Sequence, residues 1–210
     1  MTIEAFEDRM RRGGTEAVVE AARFFMRDDP LYHTLREIAA RLDELGVPYA
    51  VVGGMALVAH GYIRTTEDVN VLVTPDGLRR IRRELEGRGY LPAFGGSRRL
   101  RDTRSGVRIK FVLAGQFPGD GKPKAVAFPE PAAVAVDIDG IRYVPLPTLI
   151  ELKLASGMTN PGRLRDLADV QELIRALQLP ADFADQLNPY VRDKFQELWS
   201  ALAADAAGES

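Results

Sequence analysis

Apolar residues recur at three- and four-residue spacing through "DPLYHTLREIAARLDELG" (29–46). Leu35, Ile38, Ala39, Leu42 and Leu45 fall on one stripe there, and Gly46 marks a stop. The stretch before it, residues 1–28, carries only a weak helical pattern. After Gly46 the period changes. "YAVVGG" (49–54) is a short apolar run of strand type closed by two glycines, and "MALVAHG" (55–61) reads as a short helix ended by Gly61. "EDVNVLV" (67–73) reads as a strand, and "PDGLRRIRRELEGRG" (75–89) as a helix opened by Pro75–Asp76 and stopped near Gly87 or Gly89. "RRLRDT" (98–103) and "GVRIKFVLAG" (106–115) predict two strands about a turn at Arg104–Ser105–Gly106. "FPGDGKPKAVAFPEP" (117–131) has the glycine and proline content of a loop. "AVAVDIDGIRYV" (133–144) predicts a hairpin turning at Asp139–Gly140.

Beyond that hairpin the pattern is helical. "LPTLIELKLASG" (146–157) has proline at a helix start and glycine at its end, and "NPGRLRDLADVQELIRALQL" (160–179) is a longer amphipathic helix. One short and one long helix follow, with Tyr190, Phe195 and Trp199 as packing residues and "AGES" as a frayed tail. Helix, then mixed strands and helices, then helices alone predict an α+β fold. It would hold a small mixed sheet with helices on one side over residues 1–145, and a helical subdomain over 146–210.

The composition allows such a core: 46% of residues are hydrophobic and 28% charged. No apolar run reaches the roughly 18–20 residues of a membrane span. The charged N-terminal stretch lacks an apolar signal core, so a cytoplasmic location is expected. With no cysteine, thiolate metal sites are excluded, and two histidines, His33 and His60, argue against a poly-histidine site. The net charge of −2 hides an asymmetry, because residues 64–124 hold 14 Lys/Arg against 7 Asp/Glu. The runs "RRIRR" (79–83) and "RRLRDTR" (98–104) could form a surface for phosphates or RNA, or merely solvated faces.

Three features could carry chemistry. Gly53–Gly54 stand between a strand and a helix, where missing side chains permit a sharp turn, close ligand approach or tight packing. Asp68 and Asn70 are two residues apart on a strand, so they share a face. A carboxylate there suits a magnesium ion bridging phosphate oxygens, and Arg64, Thr65 and Thr66 could add phosphate contacts. In the helical half, Lys153 could snorkel outward or reach a phosphate, and Arg163, Asp166 and Asp169 could pair along the helix surface.

"VVGGMALVAHGYIRTTEDVNVLV" resembles the opening of the nucleotidyltransferase superfamily, the DNA polymerase β-like fold: Gly-Gly after a strand, a short helix, then a strand with Asp-x-Asp. The spacing from His60 to Asp68 is similar to that of the AbiEii-type, toxin-related branch. So are Lys153 on one helix and Arg163, Arg165, Asp166 and Asp169 on the next. The resemblance covers roughly residues 48–178. It implies nucleoside triphosphate binding and Mg²⁺-assisted transfer of a nucleoside monophosphate to a protein or RNA acceptor, with an antitoxin-like protein as a further partner. On this reading Asp68 and Asn70 hold the metal; Lys153 and Asp169 complete the catalytic set; and Gly53, Gly54, Arg64, Thr66 and Lys110 bind the nucleotide. The sequence departs from the pattern twice, with Asn70 in place of the second Asp and Lys110 in place of the third acid. Both changes work against a divalent ion. The resemblance therefore leaves open an impaired enzyme, a nucleotide binder, or a non-catalytic module using the basic middle region.

Overall fold

The structure is a computed structural model that describes residues 29–208. The weak helical pattern at 1–28 lies outside the described residues. Helix α1 (Pro30–Glu44) begins where Asp29 Oδ1 accepts a hydrogen bond from the Tyr32 N–H at 2.8 Å, and Pro30 suits a position needing no donor. It buries Leu31, Thr34, Leu35, Ile38, Ala39 and Leu42. Strand β1 (Tyr49–Val52) is buried at all four positions, because it lies between two other strands with both faces covered. Helix α2 (Gly53–Ala59) follows without a break, so both glycines belong to the helix rather than preceding it. Strand β2 (Asp68–Val73) then leads to α3 (Pro75–Leu85), whose first turn is capped by Thr74, an N-cap residue outside the predicted span.

Strands β3 (Tyr90–Pro92), β4 (Arg99–Asp102) and β5 (Arg108–Leu113) come next, followed by α4 (Pro131–Val134) and the hairpin β6 (Val136–Ile138) and β7 (Ile141–Tyr143). The hairpin turns on Asp139 and Gly140, at φ of 54° and 79°, the left-handed pair that suits the strands' twist. The pattern did not foretell β3 or α4. Three residues ending in proline, and one helical turn, are too short to show a period.

Among the described residues the seven strands form one mixed sheet ordered β3-β4-β5-β2-β1-β7-β6. Pairings β2·β5 and β1·β7 are parallel and the remainder antiparallel. This is the α+β architecture that the pattern predicts. On β2 and β5, Val69, Val71, Ile109 and Phe111 are buried on one face, while Asp68, Asn70, Arg108 and Lys110 stand half-buried on the other. Helices α5 (Leu146–Thr159), α6 (Leu164–Leu177) and α7 (Pro189–Gly208) pack on one another after the last strand. Phe195 is fully buried there, and Trp199 donates to the Leu179 carbonyl at 2.9 Å, but Tyr190 is exposed rather than packed. Helix α7 runs through Gly208, into the tail expected to fray. No helix among the described residues is long and apolar enough to cross a membrane.

Gly157 does not end α5, which continues to Thr159. A methyl group there would lie 2.5 Å from Leu167 Cγ, so this glycine lets α6 pack closely against α5. Gly157→Ala should therefore separate the two helices and cost about 1–3 kcal/mol, read as a lowered urea midpoint. An unchanged midpoint would show that Leu167 can move aside.

Candidate functional site

Sheet register decides what the site contains. Asn70 is opposite Lys110 across β2·β5, and Lys110 is opposite Arg99 across β4·β5. One step along, Asp68 is opposite Arg108, and Arg108 is opposite Arg101. Directly opposite residues share a face. Two adjacent rows thus hold one carboxylate, one amide and four cations.

Asp68 is already engaged. Asn70 Nδ2 donates to its Oδ1 at 2.7 Å, and an Arg108 guanidinium nitrogen lies 3.8 Å from Oδ2. The Asn70 amide must turn its N–H₂ toward the carboxylate, because oxygen against oxygen at that distance is repulsive. Gly53 fits beneath it. Its φ is +70°, and a Cβ added there would meet Asn70 Nδ2 at 3.1 Å, so only glycine is unstrained. Gly54 has a different reason. A Cβ there would fall 2.6 Å from both Cβ and Oγ1 of the buried Thr66. The space at Gly54 is filled by Thr66, so at this position the missing side chain serves packing.

A cleft of about 760 Å³ opens between the sheet and α5. Gly53, Asn70, Lys110 and Lys153 line it, with Arg98 and Arg99 of the basic run 98–104 and Arg163 of the helical motif. Phe94, Phe117 and Phe128 add aromatic surface. Asp68 opens instead into a neighbouring hollow of about 400 Å³, beside Arg64, Thr66, Arg108 and Arg165. The predicted residues are thus divided between two depressions, and Gly54 and Asp169 line neither.

Lys153 and Asp169 are tied up in a buried network. Lys153 Nζ donates to Asp169 Oδ2 at 2.6 Å and to Asp166 Oδ1 at 3.0 Å. Arg64 donates to Asp169 Oδ1, and Ser156 Oγ to Asp166 Oδ2 at 2.7 Å. Two cations meet two carboxylates, so the network adds no net charge to the cleft. Asp166 and Asp169 thus pair with Lys153 and Arg64 rather than along the helix surface. Lys153 has two of its three N–H donors committed inward instead of snorkelling. His60 packs, with Nε2 2.8 Å from the Val144 carbonyl.

The basic runs are compensated in part. Arg79 pairs with Asp76, Arg83 and Arg88 with Glu84, and Arg104 with Glu37. Arg82 grips the Gly96 and Ser97 carbonyls, bracing the loop that carries Phe94 and Arg98 over the cleft. The cleft's own acids are also taken, Asp120 by Lys124 and Asp166 by Lys153. Among the described residues Lys110, Arg99 and Arg163 have no carboxylate within 4.0 Å. Burial pushes the Lys110 ammonium below its ordinary value of 10.5, and Arg163, Arg99 and Arg108 push the same way against Asp68.

The donor set does not fit the magnesium that the resemblance implies. Among the described residues no three His, Cys, Asp or Glu side chains cluster. The one carboxylate is already shared by an amide and a guanidinium. A divalent ion within about 4–5 Å of the Lys110 ammonium would meet repulsion on the order of several kcal/mol at an effective dielectric near 20.

No protein-family model and no curated protein matches the chain. Among solved structures it is similar to ANT(2'')-Ia in complex with adenylyl-2''-tobramycin. Identity is 14% and the TM-score 0.51, over 79% of this chain and 96% of that one. A solution structure of the same antibiotic-resistance factor gives 15% identity and a TM-score of 0.48, over 82% and 91%. An antigenic nucleotidyltransferase-like protein from Paracoccidioides brasiliensis gives 16% and 0.45, over 68% and 74%. At such identities the likeness to the first structure shows the fold, which is nucleotidyltransferase-like.

Two outcomes are expected. Asp169→Ala should cost about 3–5 kcal/mol in urea denaturation, because it strips a buried partner from both Arg64 and Lys153. A loss under 1 kcal/mol would show water reaching the network. Lys110 should behave oppositely. With its folded pKa depressed, its charged form destabilises the fold below that value, and the burden lifts as pH rises toward 10.5. Lys110→Gln should therefore be the more stable protein at pH 7, with the gap closing by about pH 10.5. A gap independent of pH would mean that the ammonium is not strained.

Proposed function

We propose that this protein binds a nucleoside triphosphate in the cleft between the sheet and α5. The phosphates would lie over Asn70, Lys110 and Arg99 within reach of Arg163, and the base toward Phe94 and Phe117. The observation that carries this reading is a group of cations lining the cleft without a described carboxylate partner within 4.0 Å, Lys110 and Arg99 from the sheet and Arg163 from the helical side. Anion binding is the chemistry that such a group offers, and lysine and arginine are competent phosphate partners. The cleft's size is that of a small-molecule site, and exposed aromatic edges beside cations suit a nucleobase. The nucleotidyltransferase-like fold supports the same ligand class by analogy.

Transfer of the nucleotide is the weaker part of the family's activity here. With a single engaged carboxylate, no set among the described residues fits the two-ion clamp that in-line phosphoryl displacement uses. We read the protein as a binder first. The finer assignment, to the toxin-related branch with an antitoxin-like protein or an RNA acceptor, is supported by the His60–Asp68 spacing and the Lys153–Asp169 motif. A module binding RNA through residues 79–124 is less well supported, because most arginines of α3 spend their charge on neighbouring acids or loop carbonyls.

Titration calorimetry with ATP, GTP, CTP and UTP, run with Mg²⁺ and again with EDTA, tests the reading. One site is expected for at least one nucleotide under at least one condition. Arg163→Gln should weaken that site about tenfold, the value of one charge-assisted contact, without lowering the thermal midpoint. No heat and no thermal shift with any nucleotide under either condition would overturn it.

A further inference from the structure

We infer that the Lys110 ammonium, flanked by Arg99 and Arg163, does the work of a divalent cation, so that the cleft takes the metal-free triphosphate in preference to its magnesium complex. This rests on the nucleotide-binding reading above and goes beyond it, because it names the charge state of the ligand.

Four observations carry it. The first is position: Lys110 stands in the middle of the row Asn70–Lys110–Arg99, on the face that forms the cleft wall. A strand holds it there, so its ammonium is offered at a defined place instead of from a mobile loop. The second is the state of Asp68. Its oxygens face the Asn70 amide and Arg108, and its side chain opens into the neighbouring hollow, so the acid that would recruit a metal does not reach into the cleft. The third is bookkeeping of charge within the cleft. Its acids Asp120 and Asp166 are neutralised by Lys124 and Lys153, whereas Lys110, Arg99 and Arg163 are not neutralised by any described carboxylate within 4.0 Å. The fourth is what crowding does to Lys110: desolvation and then Arg163, with Arg99 and Arg108, disfavour its charge and outweigh the opposing pull of Asp68. An anion bound among these groups relieves that repulsion, whereas a divalent cation adds to it.

Magnesium and this cluster therefore compete for the same phosphate oxygens. Free triphosphate carries about four negative charges near neutral pH, and its magnesium complex about two fewer. The electrostatic attraction to a fixed set of cations scales with that charge. Family-type sites behave oppositely, because there the metal is what joins carboxylates to phosphates.

The test compares ATP affinity of the full chain in EDTA and in excess Mg²⁺ at matched ionic strength, with Lys110→Gln and Lys110→Asp run alongside. The expected result is binding at least tenfold tighter in EDTA for the unmodified chain. The preference should shrink in Lys110→Gln, and in Lys110→Asp binding should improve when Mg²⁺ is added. A purely structural lysine would change affinity in both conditions equally and leave the ratio untouched, which would overturn the inference. Should Lys110→Asp, which puts a carboxylate next to Asn70, fail to fold, the Lys110→Gln ratio decides. Equal affinity with and without Mg²⁺, or a requirement for it, in the unmodified chain would also overturn the inference while leaving nucleotide binding intact. Absence of binding in both would remove the nucleotide-binding reading itself, and this inference with it.

Discussion

The contact on which the cleft depends is the buried ionic network of Arg64, Lys153, Asp166 and Asp169. Arg64 lies in the connection between α2 and β2, Lys153 on α5, and the two aspartates on α6. A charge taken out of water at such a place is costly unless it is paired, and each member here is paired with a residue distant in sequence. The network therefore fixes the distance between the sheet's site strand and the helix that forms the opposite wall. Gly157 acts in the same direction by letting α6 lie close against α5.

Within that frame the chemistry of the wall is set by backbone pairing. Parallel pairing of β2 with β5 places Lys110 beside Asn70 and Arg108 beside Asp68, and antiparallel pairing with β4 adds Arg99 and Arg101. The outcome is a surface on which cations outnumber carboxylates four to one across two rows. A fold whose relatives in the resemblance gather acids at this point here gathers bases. On the proposed reading, the local field there favours an anion over a metal ion.

The two faces of β2 divide the roles of its residues. Val69, Val71 and Val73 build the core, while Asp68 and Asn70 stand on the opposite face. Stability and site chemistry are thus carried by alternate residues of one strand, which lets the site face depart from the family pattern without disturbing the packing face. Gly53 is the exception, since its positive φ and its closeness to Asn70 tie backbone shape and site together.

Periodicity was enough to place most of the elements, because helical and strand spacing are local properties of the chain and each amphipathic stripe needs a covering layer. The unusual pair Asn70 and Lys110 was visible for the same reason, as a departure from a short motif. What the chain could not state by itself was which charges remain uncompensated. In the sequence "RRIRR" (79–83) looks like a basic surface, yet Arg79 and Arg83 pair with neighbouring acids and Arg82 holds loop carbonyls. Arg99, in a basic run, and Arg163, in a helical motif, stand 64 positions apart by their numbers and end in one cleft. Lys153 and Asp169 looked available and are consumed by each other. Local spacing is decided by bond geometry and is legible in sequence. Neutralisation is decided by distances of a few ångströms between remote residues, and only the tertiary structure sets those.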